Sequence, residues 1–208
     1  MSAPWFLSKA QIKENMDEIF SLVESMEDQE RGKKIKSMFE DLSDRFFIAP
    51  ASGRVNYHNC FIGGLADHSL RVYKNLKILA DNFSYKKIPH DSLIVVGLLH
   101  DIGKLGDRLT PYYIEQESEW HQNKLGEFYL HNPDLEYMGT SQRSLWLLHD
   151  YGIELTFDEY KAILLHDGQY IDANKSYQHN EGTIGLIAHM ADMLACTFEK
   201  IRWESEKN

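Results

Sequence analysis

The sequence has few cysteines, a deficit of basic residues and no long apolar run. Its two cysteines, Cys60 and Cys196, lie far apart and outside any CxxC pattern, which argues against a disulfide scaffold or a zinc knuckle. No apolar stretch approaches the roughly 20 residues that cross a bilayer. The first residues, MSAPWFLSKAQIKEN, lack the basic start and long apolar segment of a secretion signal. We therefore expect a cytoplasmic protein that does not enter the membrane.

The shortage of basic residues disfavours long nucleic acids as partners. Lysine and arginine number 22 against 32 acidic residues, which gives a formal net charge of -10. Non-specific binding to a long polyanion depends on lysine and arginine neutralising phosphates. The one dense basic cluster, RGKKIK at residues 31–36, is followed directly by acidic residues and is interpreted as a solvated helix face. A small-molecule partner fits this charge better.

The hydrophobic pattern predicts an all-α fold. Apolar residues recur with helical spacing in several segments, and no period-2 alternation is long enough to build a sheet. With 208 residues the chain is most economically one domain, residues 1–208. Within this single domain, we expect N-terminal helices at residues 8–47 to pack on the core formed by residues 57–203. The predicted helices cover residues 8–28, 30–47, 65–81, 90–102, 141–151, 156–166 and 183–203.

Two segments interrupt the helices. Prolines and glycines predict a loop over the body of the protein between residues 47 and 64. Residues 106–139 form a longer irregular excursion, with a short hairpin or helix as its own structure, and such excursions are often functional lids. The aromatic side chains of Trp120, Phe128, Tyr129 and Tyr137 could stack a nucleobase or could simply pack under the loop.

The stretch LLHDIGKL places His100 and Asp101 at the end of an apolar run. One interpretation is an ordinary helix C-terminus, with Gly103 as a left-handed cap. The other is a metal site, because buried polar side chains are costly unless they are paired. His68 and Asp192 strengthen the second interpretation, since both also lie among small or apolar neighbours. Imidazole and carboxylate groups together suit a divalent metal ion.

Four stretches, YHNCFIGGLADHSLRV, VVGLLHDIGKL, ILLHDG and LIAHMADMLA, resemble the HD-domain superfamily of metal-dependent phosphohydrolases. The resemblance covers roughly residues 57–196 and is greatest to members with GGLxEHS followed by LLHDIGK, which include bacterial 3'-to-5' exoribonucleases. It implies an HD-type helical bundle with one tightly bound divalent ion. The implied metal ligands are His68, His100, Asp101 and Asp192.

The resemblance also implies roles for neighbouring residues. His166 matches a further histidine of two-metal members and would contact either a second ion or a substrate phosphate. Those members have another histidine where this chain has Thr140, which puts a second ion in doubt. Lys104 replaces the acid of HDxxE members and would neutralise a phosphate oxygen beside the catalytic Asp101. Two further substrate contacts are expected, from Arg71 one turn after His68 and from His58 in the loop before the glycine pair.

The expected activity is metal-dependent hydrolysis of a phosphoester or phosphoanhydride in a nucleotide or short oligonucleotide. The alternative is a module that binds or sequesters a nucleotide and holds a metal without turnover. A purely structural helical protein ranks last. The chain could also form a homo-oligomer, with Trp5 and Phe6 packing against a partner.

Overall fold

The computed structural model describes residues 7–84 and 86–206, and these confirm the all-α fold class. Trp5 and Phe6, named above for a partner contact, lie outside the described residues. No described helix is both long enough and apolar enough to cross a membrane. The α-helices are α1 (Lys9–Glu24), α2 (Gln29–Asp41), α3 (Ser43–Phe46), α4 (Gly64–Phe83), α5 (His90–Leu99), α6 (Thr140–Asp150), α7 (Phe157–Leu165) and α8 (Thr183–Glu206).

The N-terminal helices differ from the prediction at their ends. Ser8 caps α1 in a reciprocal pair with Gln11, as its sequence position indicates. The helix ends at Glu24 rather than at residue 28, because Asp28 caps the next helix through the Arg31 backbone N–H at 3.0 Å. The predicted helix at residues 30–47 is divided at Leu42 into α2 and α3.

Helix α5 is the centre of the core and packs closely on α4. All its residues from Asp91 to Leu99 are buried, as expected for a helix that is apolar around its circumference. A Cβ atom at Gly97 would lie 2.6 Å from the Cα atom of Tyr73 on α4. Because Gly97 has no side chain, α5 can approach α4 this closely. Helix α8 packs on α4 and α7.

A buried ion pair joins the N-terminal helices to α7. Glu159 forms a capping box with Thr156 at the start of α7, and its side chain is fully buried. Its carboxylate also accepts hydrogen bonds from Arg31 at 3.0 Å and from the Ser92 hydroxyl at 2.7 Å. Arg31 therefore points inward, away from the solvated face predicted for its cluster.

The predicted excursion at residues 106–139 contains a small antiparallel hairpin. Its strands are β1 (Tyr113–Glu115) and β2 (Tyr129–His131), with Ile114 opposite Leu130. One π-helical turn, His121–Leu125, lies between the strands. An isolated bridge between Arg54 and Glu127 ties the hairpin to the loop that precedes α4.

Candidate metal centre

The HD dipeptide lies where α5 ends and the chain turns sharply. α5 ends at Leu99, three residues before its predicted end, and a 3-10 turn follows at Ile102–Leu105. The Ser144 hydroxyl donates to the His100 carbonyl at 2.7 Å and accepts from the Gly103 N–H at 2.8 Å. The left-handed cap proposed for Gly103 is wrong, because Gly103 lies within the 3-10 turn and positive φ occurs at Gly106, +92°.

His68, His100, Asp101 and Asp192 converge from three parts of the fold. His68 on α4 and His100 are almost completely buried, and their Nε2 atoms are 3.3 Å apart. The Nε2 atom of His68 is 3.1 Å from Asp192 Oδ1 and 3.7 Å from Asp101 Oδ2. Asp192 reaches this point from α8, where the small residues Ala188, Ala191 and Ala195 are buried. The sequence-predicted ligand set is thus one cluster.

Hydrogen bonds fix the direction in which both imidazoles offer a lone pair. The Nδ1 atom of His100 contacts the Gly97 carbonyl at 3.1 Å, and the Nδ1 atom of His68 contacts Glu199 Oε2 at 3.1 Å. A carbonyl or a carboxylate only accepts, so both Nδ1 atoms must carry hydrogen. In the neutral rings both Nε2 lone pairs therefore point at each other, beside two carboxylates. This donor set fits a divalent cation.

Burial and charge shift the pKa values of these groups in opposite directions. Burial lowers the pKa of His100 to about 4. Burial acts the same way on His68, but the carboxylates of Glu199 and Asp192 outweigh it and raise its pKa to about 10. Burial alone would raise the pKa of Asp192, yet the hydrogen bond and charge of His68 hold it below its usual range. The Asp192 carboxylate is therefore ionised at neutral pH.

His166 and Asp167 extend the cluster on the side of α7. The Nδ1 atom of His166 donates to the Ile163 carbonyl at 2.8 Å, so its Nε2 faces Asp101 Oδ1 at 3.5 Å and Asp167 Oδ1 at 3.7 Å. His166, Asp167 and Asp192 place ligand atoms within 4.8 Å of one another, as do His68, His100 and Asp101. Asp167 was not predicted, although it directly follows His166.

Lys104 is adjacent to the cluster, as the sequence indicated. Its Nζ atom lies 2.5 Å from Asp101 Oδ2, and its side chain is 14% exposed. Burial opposes the charged form, but Asp101 raises the pKa of the Lys104 ammonium. Lys104 is therefore a fixed positive charge at the edge of the centre.

His58 and Arg71 occupy different positions around His68. The His58 ring centroid is 4.8 Å from that of His68, and its buried Nε2 has no hydrogen-bond partner among the described residues. Burial lowers its pKa well below the ordinary value, so the ring is neutral. Arg71 instead contacts Glu199 at 3.2 Å and Asp67 at 3.4 Å. The predicted phosphate contact of Arg71 would require it to leave these carboxylates.

A cleft opens beside the centre at Lys104 and His58. It has a volume of about 630 Å³ and lies between the loop before α4 and the β1–β2 hairpin. Tyr57, Tyr113 and Tyr129 contribute aromatic lining. Of the aromatic group singled out in the sequence, Tyr129 alone lines this cleft among the described residues, whereas Trp120 and Tyr137 are exposed.

Comparison with protein families agrees with this geometry. Residues 65–142 match the family model of the HD domain. The match supports the HD-domain superfamily, whose members are generally metal-dependent hydrolases. It includes His68, His100, Asp101 and Lys104, and it ends before His166 and the carboxylates of α8. No curated protein and no solved structure matches the chain significantly.

Proposed function

We propose that this HD-domain protein is a metal-dependent phosphohydrolase that cleaves a phosphoester or phosphoanhydride bond in a nucleotide or short oligonucleotide. One observation carries the proposal. The Nε2 atoms of His68 and His100 converge with the carboxylates of Asp101 and Asp192 at a point where a lysine ammonium and an open cleft meet. A structural ion-pair network would need neither the converging Nε2 atoms nor the cleft.

In this proposal His68, His100, Asp101 and Asp192 hold one divalent ion tightly. His166 contacts a substrate phosphate or a second, weaker ion, and Asp167 lies where it could assist such an ion. A bound divalent ion supplies Lewis-acid polarisation of a phosphoryl oxygen and lowers the pKa of a water molecule. The imidazoles must be neutral to bind it, so ion binding releases the His68 proton.

Lys104, Asp101 and His58 have separate roles in the proposed reaction. Lys104 neutralises negative charge that develops on the phosphoryl oxygens, and its position is already fixed by Asp101. Burial alone would raise the pKa of Asp101, but Lys104 holds it well below the usual range. Asp101 therefore stays ionised, and in this proposal it accepts a hydrogen bond from the attacking water and is the candidate acceptor of its proton. His58 offers a neutral ring nitrogen to the substrate.

The cleft supports a nucleotide-sized substrate. Its volume of about 630 Å³ lies in the range of small-molecule sites. The tyrosines on its walls provide faces on which a base can stack, a contact worth roughly 1–3 kcal/mol per base in other proteins. The overall charge of -10 argues against a long polyanion.

The alternative function is a metal-containing module that binds or sequesters a nucleotide without turnover. Two features favour it: Thr140 stands in place of a histidine, and Lys104 stands where HDxxE members have an acid. Both functions require the ion and the cleft, so only turnover separates them.

The test uses the purified protein with Mn²⁺, Mg²⁺, Co²⁺ or Ni²⁺ and chromatographic analysis of products. Substrates are nucleoside mono-, di- and triphosphates, cyclic nucleotides, and short RNA and DNA oligonucleotides. Asp101→Ala should abolish turnover, whereas the control Asp134→Ala, on an exposed residue, should leave it unchanged. Stoichiometric metal binding without any turnover would refute the enzyme and favour the sequestering module.

A further inference from the structure

We propose that Glu199 is a positioning residue that accepts a hydrogen bond from Nδ1 of His68 and so orients the Nε2 atom of the ring toward the metal site; the inference rests on the proposed function for the ion itself. Glu199 is 2% exposed and lies on α8, seven residues after Asp192. Seven residues are about two helical turns, so both carboxylates project from the same face of α8. They reach opposite nitrogens of one ring.

The contacts between Glu199 and His68 are short and specific. The Nδ1 atom of His68 lies 3.1 Å from Glu199 Oε2 and 3.3 Å from Oε1. An ionised carboxylate can only accept, so this nitrogen must carry the hydrogen. The other nitrogen, Nε2, is then the one that gives its lone pair to a cation. Carboxylates that accept from metal-binding histidines act in this way in other proteins.

A second set of contacts holds Glu199 in place. Arg71 Nε donates to Glu199 Oε1 at 3.2 Å, and Arg71 also contacts Asp67 at 3.4 Å. Asp67 in turn accepts from the Asn59 amide at 3.0 Å. The arginine charge compensates a carboxylate that would be costly to bury alone. Arg71 therefore acts behind Glu199, on the opposite side of His68 from Asp192.

A purely structural role is the competing explanation, since the same contacts tie α4 to α8. The two explanations differ in what happens at His68 when the acceptor is removed. Without Glu199, an Nδ1 hydrogen would be buried with no acceptor. The ring would instead keep its hydrogen on Nε2, where Asp192 accepts at 3.1 Å. A cation would then have to displace that hydrogen bond, and its affinity would fall.

The experiment compares Glu199→Leu, Glu199→Gln and Arg71→Met with the wild-type chain. Zn²⁺ affinity is measured by competition with a chromophoric chelator. The protonation of each His68 nitrogen is read from ¹H–¹⁵N NMR spectra with and without Zn²⁺, and folding is checked by urea unfolding. We expect Glu199→Leu to weaken Zn²⁺ binding by about 10–100-fold and, in the Zn²⁺-free protein, to leave the His68 ring with a hydrogen on Nε2 and none on Nδ1. Glu199→Gln, which keeps one acceptor oxygen, should lose less, and Arg71→Met should lose less than about threefold.

The outcomes are distinguishable. A folded Glu199→Leu or Glu199→Gln protein with wild-type Zn²⁺ affinity and unchanged His68 protonation would overturn the positioning role and leave the proposed function standing. Equal losses of affinity in the Glu199 and Arg71 variants, without a change at His68, would favour the structural role and overturn the proposal. If the wild-type chain binds no Zn²⁺, Mn²⁺ or Co²⁺, the proposed function fails, and the positioning role fails with it.

Discussion

Replacing Lys104 with methionine should destabilise the metal-free protein and tighten its hold on a metal ion. The Lys104 ammonium and the Asp101 carboxylate are 2.5 Å apart, with side-chain exposures of 14% and 6%. Removing one partner of a buried ion pair costs about 3–5 kcal/mol, because the other charge is left uncompensated. The imidazoles of His166 and His68, whose pKa values are raised to about 9 and about 10, place their Nε2 atoms 3.5 and 3.7 Å from the same carboxylate and can supply part of that charge. The expected loss is therefore about 2–3 kcal/mol.

A divalent ion changes this balance, because it would bring positive charge to the same carboxylate. In the presence of saturating metal, the loss caused by Lys104→Met should shrink to about 1 kcal/mol. A thermodynamic cycle then requires the variant to bind the ion more tightly by the difference, about 1.4 kcal/mol or roughly tenfold. Turnover should nevertheless fall by about 100-fold, since a charge that stabilises the transition state has been removed.

Urea unfolding in a chelator and in excess Mn²⁺, together with a metal titration, measures each part of the cycle. Lys33→Met is a matched control, because Lys33 and Glu30 form an exposed pair with the same three-residue spacing at 2.6 Å. It should change neither unfolding nor metal affinity measurably. Equal destabilisation by Lys104→Met with and without metal, at unchanged affinity, would refute the electrostatic argument.

Three further predictions concern stability. Glu159→Ala should cost about 3–5 kcal/mol in urea unfolding, because it removes the fully buried carboxylate that pairs with Arg31 at 3.0 Å and accepts from the Ser92 hydroxyl; a loss below about 1 kcal/mol would contradict this. In a chelator, the free energy of unfolding should decline as pH rises from 7 to 10. The folded-state pKa values of His68 and His166, about 10 and 9, exceed the unfolded value near 6.5, so their stabilising protons are lost in that range. If the free energy of unfolding, measured by urea titration, does not change between pH 7 and 10, this prediction is wrong. Gly103→Ala should cost about 1–3 kcal/mol, seen as a lower midpoint in urea, because its Cβ would meet a carbonyl oxygen at 2.3 Å.

The sequence predicted the helices well where the decisive contacts are local. The cap of α1 at Ser8 and the capping box of α7 at Thr156 were both readable, because each depends on residues three positions apart. The end of α5 was not. The helix was predicted to reach Ile102, but Ser144, more than forty residues away, binds the His100 carbonyl where the chain turns. The residues around His100 contain no sequence signal for a contact with a residue so far along the chain.

The same distinction applies to the candidate centre. His68, His100, Asp101 and Asp192 carry a recognisable order of residue types, and the structure brings them together. Glu199 was missed, although its spacing of seven from Asp192 on a helix was a usable signal. The pairing of Arg71 with Glu199 could not be read from the sequence, because it depends on how α8 crosses α4, whereas Asp67 lies four residues before Arg71 on the same helix.

The turn after His100 and Asp101 also determines where the chain can accept segments of a different length. The excursion leaves the body at Gly106 and returns at Gly139, and both ends adjoin the turn in which Gly103 lies against the Thr140 carbonyl. The cost of closing a loop depends only weakly on its length once its ends are held together. The hairpin that walls the cleft can therefore be exchanged for a shorter or longer segment without moving the imidazoles and carboxylates beneath it. In the proposed enzyme, the part that selects the substrate and the part that holds the metal ion would then be able to evolve separately.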